Sequence, residues 1–157
     1  MNFEIERKFL VPDLSFKKEA TKVEEIRQGY IAHEKARSVR VRILDGKGIL
    51  TIKGPTLDGI SRMEWEKEIP VEEALELLTL SCSSIIWKER HIIPAAGGRK
   101  WEVDVFHGDN EGLVMAEVEL SAIDEGVEFP EFIGTEVTGD PRYYNTYLKS
   151  HPYKKWE

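Results

Sequence analysis

The stretch that decides the fold is SVRVRILDGKGILTIK, which runs from Ser38 to Lys53. In its first half, valine and isoleucine alternate with Arg40 and Arg42, and a period of two is typical of a β-strand with two different faces. The Asp-Gly pair at positions 45 and 46 favours a tight hairpin turn. Residues 49–53 are therefore predicted to return as the antiparallel partner strand.

The same alternation recurs through most of the chain and predicts eight strands, most of them joined by short turns. The predicted strands cover residues 3–9, 25–32, 39–43, 49–53, 63–67, 85–93, 100–106 and 113–120. Leucine and alanine spacing predicts a helix over residues 71–80, and a second helix is expected after Asp13. Asp140 followed by Pro141 is typical of the start of a third. The expected fold class is α+β, mainly antiparallel β.

The composition is that of a folded protein with an excess of negative charge. The 157 residues include 22 Lys and Arg against 29 Asp and Glu, so the net charge of −7 argues against binding to nucleic acid or membrane through overall charge. The length suits one domain over residues 1–157. With a single cysteine, no leader pattern and no apolar run near the roughly 18 residues of a membrane span, a cytoplasmic location is expected.

Charged residues occupy one face of nearly every predicted strand, where a solvated sheet would carry mixed polar side chains. Four strands place two carboxylates at i and i+2, within roughly 7 Å of each other on one face, which is close enough to share a hard cation. Two other strands carry paired cations. The acids are Glu4, Glu6, Glu64, Glu66, Glu102, Asp104, Glu117 and Glu119, and the bases are Lys8, Arg40, Arg42, Lys53, Lys88 and Arg90.

If the eight strands curl into a closed barrel with this face inward, the lumen holds both signs of charge in near balance. Burying so many ions is costly unless they are paired or solvated, so a wet tunnel that binds a charged ligand is favoured over a dry core. Carboxylates bind Mg²⁺ or Mn²⁺ while Arg and Lys bind phosphate oxygens, so a metal-chelating polyphosphate suits both. The competing interpretation is a half-exposed sheet with cross-strand ion pairs facing solvent.

The order of the charged motifs carries a family resemblance. The chain opens with Glu4-Ile5-Glu6-Arg7-Lys8, and the later motifs are Arg40-x-Arg42, Thr51-Ile52-Lys53, Glu64-x-Glu66, Lys88-x-Arg90, Glu102-x-Asp104, Glu117-Val118-Glu119 and Asp140-Pro141-Arg142-Tyr143-Tyr144-Asn145. The opening resembles the Glu-x-Glu-x-Lys signature of the CYTH superfamily, the triphosphate tunnel metalloenzymes. Together the motifs span nearly the whole chain, whose length resembles that of the small bacterial members.

This resemblance implies an eight-stranded antiparallel tunnel whose bases hold a triphosphate and whose acids hold one or two divalent metals, Mg²⁺ or Mn²⁺. The metal-associated residues it implies are Glu4, Glu6, Asp104, Glu117 and Glu119. The phosphate-binding residues it implies are Lys8, Arg40, Arg42, Lys53, Lys88, Arg90 and Arg142. The residues to which it assigns a catalytic role, in or near the attack of water, are Glu64, Glu66, Lys88 and Tyr30.

The activity expected from the resemblance is metal-dependent hydrolysis of inorganic triphosphate to pyrophosphate and phosphate, because the recurrent charges account for phosphate without requiring an organic group. The enzyme alternatives are a class IV adenylyl cyclase and a nucleoside or thiamine triphosphatase. An alternative of another class is a binding module that holds metal and polyphosphate without turnover. The sequence leaves open whether the chain forms a homodimer.

Overall fold

The computed structural model describes residues 5–35, 37–56, 62–82, 84–122 and 124–156. It contains eight strands: β1 (Ile5–Leu10), β2 (Lys22–Glu34), β3 (Arg37–Leu44), β4 (Lys47–Thr56), β5 (Arg62–Ile69), β6 (Ile86–Pro94), β7 (Lys100–Phe106) and β8 (Val114–Leu120). The two α-helices are α1 (Val71–Leu78) and α2 (Asn145–Leu148), and short 3₁₀ turns lie between the strands and near the C-terminus. The predicted α+β, mainly antiparallel fold class is confirmed.

All eight strands form one antiparallel sheet in the order β1-β8-β7-β6-β2-β3-β4-β5. The predicted hairpin at its centre is present, with Leu44 opposite Lys47. Asp45 and Gly46 have φ of 51° and 83°, and two central residues with positive φ match the right-handed twist of the flanking strands. The long β2 pairs with β3 on one side and β6 on the other, so it joins the two halves of the sheet.

The sheet is strongly curled, because side chains of both edge strands line one cavity on its concave face. Glu6 of β1 and Glu64 of β5 both belong to this lining. Among the described residues, however, no ladder pairs β1 with β5. The outer edge of β1 instead bonds to residues 134–138, with Val137 N–H donating to the carbonyl of Lys8 at 2.8 Å. The sheet therefore curls around the cavity, the hydrogen-bonded closure expected of a barrel is not seen among the described residues, and the edge of β1 is covered by a loop segment.

The convex face of the sheet carries one of the two apolar clusters, as the alternation predicts. One cluster centres on Trp101, which is 1% exposed and packs edge-on against Phe9 with ring centroids 5.7 Å apart. A second cluster joins Phe106 and Leu113 to Leu148 of the C-terminal segment. The first cluster therefore lies outside the curl, whereas the second lies on the concave side, where Phe106 is directly opposite Lys88 and Met115 belongs to the cavity lining.

The helices are shorter than the sequence pattern predicts. Helix α1 ends at Leu78, and its buried Ala74 lies where a Cβ on Gly48 would approach to 2.9 Å, so the glycine permits this close contact with β4. After Asp13 there is a 3₁₀ turn rather than an α-helix. None of the described helices combines the length and apolar character needed to cross a membrane.

The predicted C-terminal helix begins later than expected. Asp140 does act as a cap, since its carboxylate accepts the backbone N–H of Arg142 at 3.1 Å, but it caps only a 3₁₀ turn over Pro141–Tyr143. Tyr144 is then extended, with φ −80° and ψ 144°, and α2 starts at Asn145. The capping pattern correctly predicted a helical turn after Asp140. That turn ends at Tyr143 and does not continue directly into an α-helix.

Candidate active site

The concave face encloses a cavity of about 390 Å³ whose lining is almost entirely ionic. Most of the charged residues that the sequence singles out meet here from seven of the eight strands. The lining residues are Glu6, Lys8, Arg40, Arg42, Lys53, Glu64, Glu66, Lys88, Arg90, Glu102, Asp104, Met115, Ala116, Glu117, Glu119, Tyr143 and Asn145. The charged faces of the strands thus converge on one cavity, which is buried around Lys88 and Asp104 and open to solvent around Glu64, Glu66 and Glu119.

Strand order sorts the charges of the cavity into two sides, which we call the acidic half and the basic half. The acidic half comprises the inward residues of β5, β1, β8 and the outer part of β7, where the cation Lys8 of β1 accompanies the carboxylates Glu6, Glu64, Glu66, Glu102, Glu117 and Glu119. The basic half comprises those of β6, β3 and β4, with Asp104 between its cations; its bases are Arg40, Arg42, Lys53, Lys88 and Arg90. Because the sheet curls, the two acidic edges lie on the same side of the cavity.

Like charges face one another across neighbouring strands in the acidic half. Glu6 of β1 is directly opposite Glu119 of β8, and Glu117 of β8 is directly opposite Glu102 of β7. Directly opposed residues of an antiparallel pair have Cβ atoms about 5 Å apart, at which distance like charges are destabilising unless something neutralises them. This arrangement favours the presence of a cation between the strands.

A buried ion cluster stabilises the centre of the basic half. Asp104 accepts from Lys88 Nζ at 2.9 Å and from Arg90 through both oxygens, at 2.9 and 3.0 Å. Arg90 also reaches Glu102 at 3.1 Å. With the Lys88 side chain only 2% exposed, both its charge and that of Asp104 depend on this pairing.

Burial and neighbouring charge act in opposite directions on the pKa values of this cluster. Desolvation is the main influence on Lys88 and, with the nearby cations of Arg90 and Arg42, outweighs the attraction of Asp104 and lowers the pKa of Lys88 to about 8. Burial also disfavours the charged form of Asp104, but Lys88 and Arg90 overcome it and lower the pKa of Asp104 to about 2. Asp104 therefore stays ionised at neutral pH. The Lys88 amine loses its proton at a lower pH than the amine of an exposed lysine does.

Arg42 is supported by a residue that the sequence analysis did not identify. Desolvation, together with the charges of Arg40 and Arg90, lowers the pKa of Arg42 to about 10. Gln28 on β2, which is fully buried, accepts a hydrogen bond from Arg42 Nε at 2.8 Å. In the sequence, Gln28 differs from the other site residues in being an uncharged amide. Its position on β2, directly opposite Arg42 of β3, is therefore not marked by any pattern of charged pairs.

Two carboxylates next to the basic half are held by β4. Thr51 donates its hydroxyl to Glu66 at 3.1 Å, and Lys53 Nζ lies 3.9 Å from Glu64. Both contacts join directly opposed residues of β4 and β5. Glu66 therefore has one oxygen fixed by a neutral donor, while Glu64 is adjacent to a cation.

Several residues predicted for the site lie elsewhere or have other partners. Tyr30 is buried beside a smaller pocket that adjoins the main cavity. Arg142 does not line the cavity; it is exposed and pairs with Asp140 at 2.7 Å. Asp104, predicted as a metal ligand, has both oxygens engaged by cations. Glu4 lies outside the described residues.

The donor chemistry of the acidic half fits a hard divalent cation. Carboxylate oxygens are the donors that Mg²⁺ and Mn²⁺ prefer, and the opposed Glu6 and Glu119 present them from two adjacent strands. Within the described residues, which leave out Glu4, no group of three or more His, Cys, Asp or Glu is assembled as a complete metal site. The charge and chemistry of this wall fit a hard divalent cation, to which Glu6 and Glu119 would each offer carboxylate oxygens.

Comparison with known proteins agrees with this geometry. Residues 2–144 match the CYTH domain, and the chain belongs to the CYTH domain family. It is 49% identical to an inorganic triphosphatase of Acetivibrio thermocellus, over 100% of this chain and 99% of that protein. It is 33% identical to an inorganic triphosphatase of Nitrosomonas europaea, over 92% of this chain and 95% of that protein.

A solved structure shows the same fold. The crystal structure of an inorganic triphosphatase superposes with a TM-score of 0.73 at 30% identity, covering 95% of each chain. The recognition of a CYTH family member from the order of its charged motifs is confirmed.

Proposed function

We propose that this chain is a metal-dependent triphosphatase that hydrolyses inorganic triphosphate to pyrophosphate and phosphate. The observation that carries the proposal is the single cavity with a basic half and an acidic half, because a triphosphate bound with a divalent cation needs both. The similarity to two inorganic triphosphatases over nearly their full length supports this substrate.

The bases of the cavity bind the phosphate oxygens in this proposal. Arg40, Arg42 and Arg90 offer planar sets of N–H donors, whereas lysines act as compact charges. Phosphoryl transfer asks a protein mainly for alignment and for neutralisation of charge, and a rigid ionic cluster provides both. The proposed phosphate-binding residues are Lys8, Arg40, Arg42, Lys53, Lys88 and Arg90.

The acids of the cavity bind the metal and orient water. Glu6, Glu117 and Glu119, with Glu4, would hold the divalent cation, which when bound supplies Lewis-acid stabilisation of phosphate charge. Asp104 is better placed to fix Lys88 and Arg90 than to bind metal, so we assign it that positioning role.

Water is oriented on the same side of the cavity by the β5 carboxylates. Glu66, whose one oxygen accepts from Thr51, retains a second oxygen to orient an attacking water, with Glu64 as its neighbour. Tyr30 and Lys88 remain the other candidates for a catalytic role, and the lowered pKa of Lys88 suits a group that exchanges a proton near neutral pH.

A substrate panel tests the proposal. Purified protein is incubated with tripolyphosphate, ATP or thiamine triphosphate in Mg²⁺, Mn²⁺ or EDTA, and phosphate, pyrophosphate and cyclic AMP are quantified. We expect phosphate and pyrophosphate from tripolyphosphate with either metal and no turnover in EDTA. Cyclic AMP from ATP would establish a cyclase, faster turnover of an organic triphosphate would change the substrate, and binding without turnover would establish a binding module.

Two variants on the same strand provide the matched control. Glu66→Gln removes a carboxylate of the cavity, while Met63→Gln changes a side chain that is 72% exposed on β5. We expect Glu66→Gln to lose turnover by at least about a hundredfold and Met63→Gln to retain it. Equal activity of the two variants would remove Glu66 from the mechanism.

We further propose that residues 1–157 form a single domain. Support comes from the C-terminal segment, where Leu148 is fully buried in the second apolar cluster and the Trp156 ring lies 5.4 Å from that of Tyr143. The cytoplasmic location and the choice between monomer and homodimer remain predictions.

A further inference from the structure

A second, smaller pocket adjoins the main cavity between β2, β3, β4 and α2. Its volume is about 120 Å³, and we call it the side pocket. It shares Arg40 and Lys53 with the main cavity, and its other lining includes Tyr30, Ser38 and Thr146. Because Ser38 is buried and Thr146 is exposed, the side pocket extends from the interior of the sheet towards the surface.

The chemistry of the side pocket differs from that of the main cavity. The main cavity has seven carboxylates in its lining, whereas the described lining of the side pocket contains none. Two cations and several hydroxyl groups remain, and this combination binds tetrahedral oxyanions through charge-assisted hydrogen bonds. A site without carboxylates has no need of a divalent cation to accept an anion.

Arg40 has an unused donor at this position. Its Nε is buried and has no hydrogen-bond partner among the described residues. Buried donors in native proteins are ordinarily satisfied by protein, water or ligand. The Nε atom itself is not open to either cavity, but Arg40 lines both of them, so its charge is placed to pair with an oxyanion in the side pocket.

The size of the side pocket restricts the ligand. Pockets for organic ligands begin at about 300 Å³, whereas a water molecule occupies about 30 Å³ of the liquid. At about 120 Å³ the side pocket accommodates a phosphate ion and is too small for a nucleoside or thiamine.

We propose that the side pocket binds orthophosphate, the smaller product of the proposed hydrolysis, without a divalent cation. The identity of this ligand as a product rests on the proposed function, whereas the anion site rests on the lining alone. Because Arg40 and Lys53 belong to both cavities, orthophosphate in the side pocket competes for the cations that hold triphosphate. Orthophosphate is therefore expected to inhibit the enzyme at this location.

A direct binding experiment in EDTA tests the site without any hydrolysis. Orthophosphate is titrated into the purified 157-residue chain by calorimetry at constant ionic strength, with chloride as the competing anion. We expect one phosphate per chain. Thr146→Asp, which places a carboxylate at the exposed mouth, is expected to weaken binding by at least about tenfold through like-charge repulsion.

Two further variants control for charge and for location. Ser150→Asp adds the same charge at an exposed position just after α2, outside the lining of the side pocket, and is expected to leave binding unchanged. Glu119→Gln alters the acidic half of the main cavity, and we expect no change in phosphate binding in EDTA. Ser38→Asp repeats the repulsion test from β3 and should behave as Thr146→Asp does.

The outcomes separate this proposal from the proposed function. Absence of orthophosphate binding in the millimolar range, equal affinity of Thr146→Asp and Ser150→Asp, or strong dependence on Glu119 would overturn the side pocket as the site. Weakening by Thr146→Asp and Ser38→Asp supports it, even if the substrate panel shows no triphosphate hydrolysis. Conversely, triphosphate turnover without this binding pattern would retain the function and remove the side pocket.

Discussion

The acidic and basic halves of the cavity balance their charges in different ways. In the basic half, Lys88 and Arg90 share the carboxylate of Asp104, and Arg42 is oriented by Gln28, so the protein itself supplies the partners. In the acidic half, Glu6 faces Glu119 and Glu102 faces Glu117 across the strands. The basic half is thus preorganised by folding, while the acidic half keeps opposed carboxylates beside the cations of Lys8 and Arg90, so a further cation would stabilise it.

This difference means that a carboxylate has opposite effects on stability in the two halves. Removing Asp104 leaves the buried Lys88 without its carboxylate and Arg90 with Glu102 alone, whereas removing Glu119 relieves repulsion. The following predictions compare the two halves, beginning with the largest expected effect.

Asp104→Asn should destabilise the protein by about 3–5 kcal/mol, because the partner of Lys88 and Arg90 is lost in a buried site. The measurement is urea unfolding at pH 7, followed by tripolyphosphate turnover, which should also fall. Asp109→Asn, at an exposed position in a nearby turn, is the control. A loss of stability no greater than that of the control would show that the ion cluster does not hold the basic half together.

The pH dependence of stability provides a second test. The pKa of Asp104 is lowered from 3.8 to about 2, so its contribution is fully present above pH 3.8 and is lost as the pH falls through 2. Integrated over this interval, the contribution amounts to about 2 kcal/mol. Unfolding of the wild type and of Asp104→Asn from pH 6 downwards should therefore show a stability difference that narrows in this acid range. If the difference in unfolding free energy between the two proteins stayed constant across this range, the lowered pKa of Asp104 in the folded state would be wrong.

Gln28→Leu tests the preorganisation of Arg42. Loss of a hydrogen bond to a charged group is worth about 1.5–3 kcal/mol, so KM for tripolyphosphate should rise by about tenfold or more. Gln28→Glu retains an acceptor for Arg42 and should keep KM closer to that of the wild type. A purely structural role would instead lower stability in both variants and leave KM unchanged.

Glu119→Gln tests the acidic half through stability in EDTA. Relief of the repulsion with Glu6 should stabilise the protein by up to about 1 kcal/mol, measured as a small rise in Tm. Glu128→Gln, an exposed position away from the cavity, serves as the control. A lower Tm of Glu119→Gln in EDTA would show that repulsion between Glu6 and Glu119 does not destabilise the acidic half.

Arg142→Ala should have the smallest effect. The guanidinium pairs with Asp140 outside the cavity, so tripolyphosphate turnover is expected to stay within about twofold of the wild type. The measurement is kcat and KM under saturating Mg²⁺. A large rise in KM would restore the phosphate-binding role that the family resemblance implies for this residue.

The strands and their polar faces could be predicted from the sequence with small errors in extent. All eight predicted strands are present, and β7 has the predicted bounds. Strand β4 was expected to stop at Gly54 and Pro55 but continues to Thr56, with an irregular register after Lys53. Proline at a sheet position is compatible with such an irregularity, which a turn signal alone does not reveal.

The predicted placement of the charged residues was correct where it depends on which face of a strand a residue occupies and incomplete where it depends on contacts, and the roles of these residues stay predictions. Most of the charged residues on the predicted parity line the cavity, while Arg142, assigned through a loop motif, does not. Gln28 was missed because an amide has no charge pattern, and its importance comes from burial against Arg42. The engagement of Asp104 by two cations could not be foreseen from the spacing of Glu102 and Asp104.

Alternation with a period of two established which side chains share a face, and local turn chemistry established the central hairpin, because both depend on neighbours in the chain. The pairing of β1 with β8 and of β2 with β6 joins segments far apart in sequence, and only the folded sheet specifies it. That pairing separates acids from bases, opposes Glu6 to Glu119 and forms the side pocket. Charge sign is a property of each residue, whereas its partner, its solvation and hence its chemistry are properties of the assembled sheet.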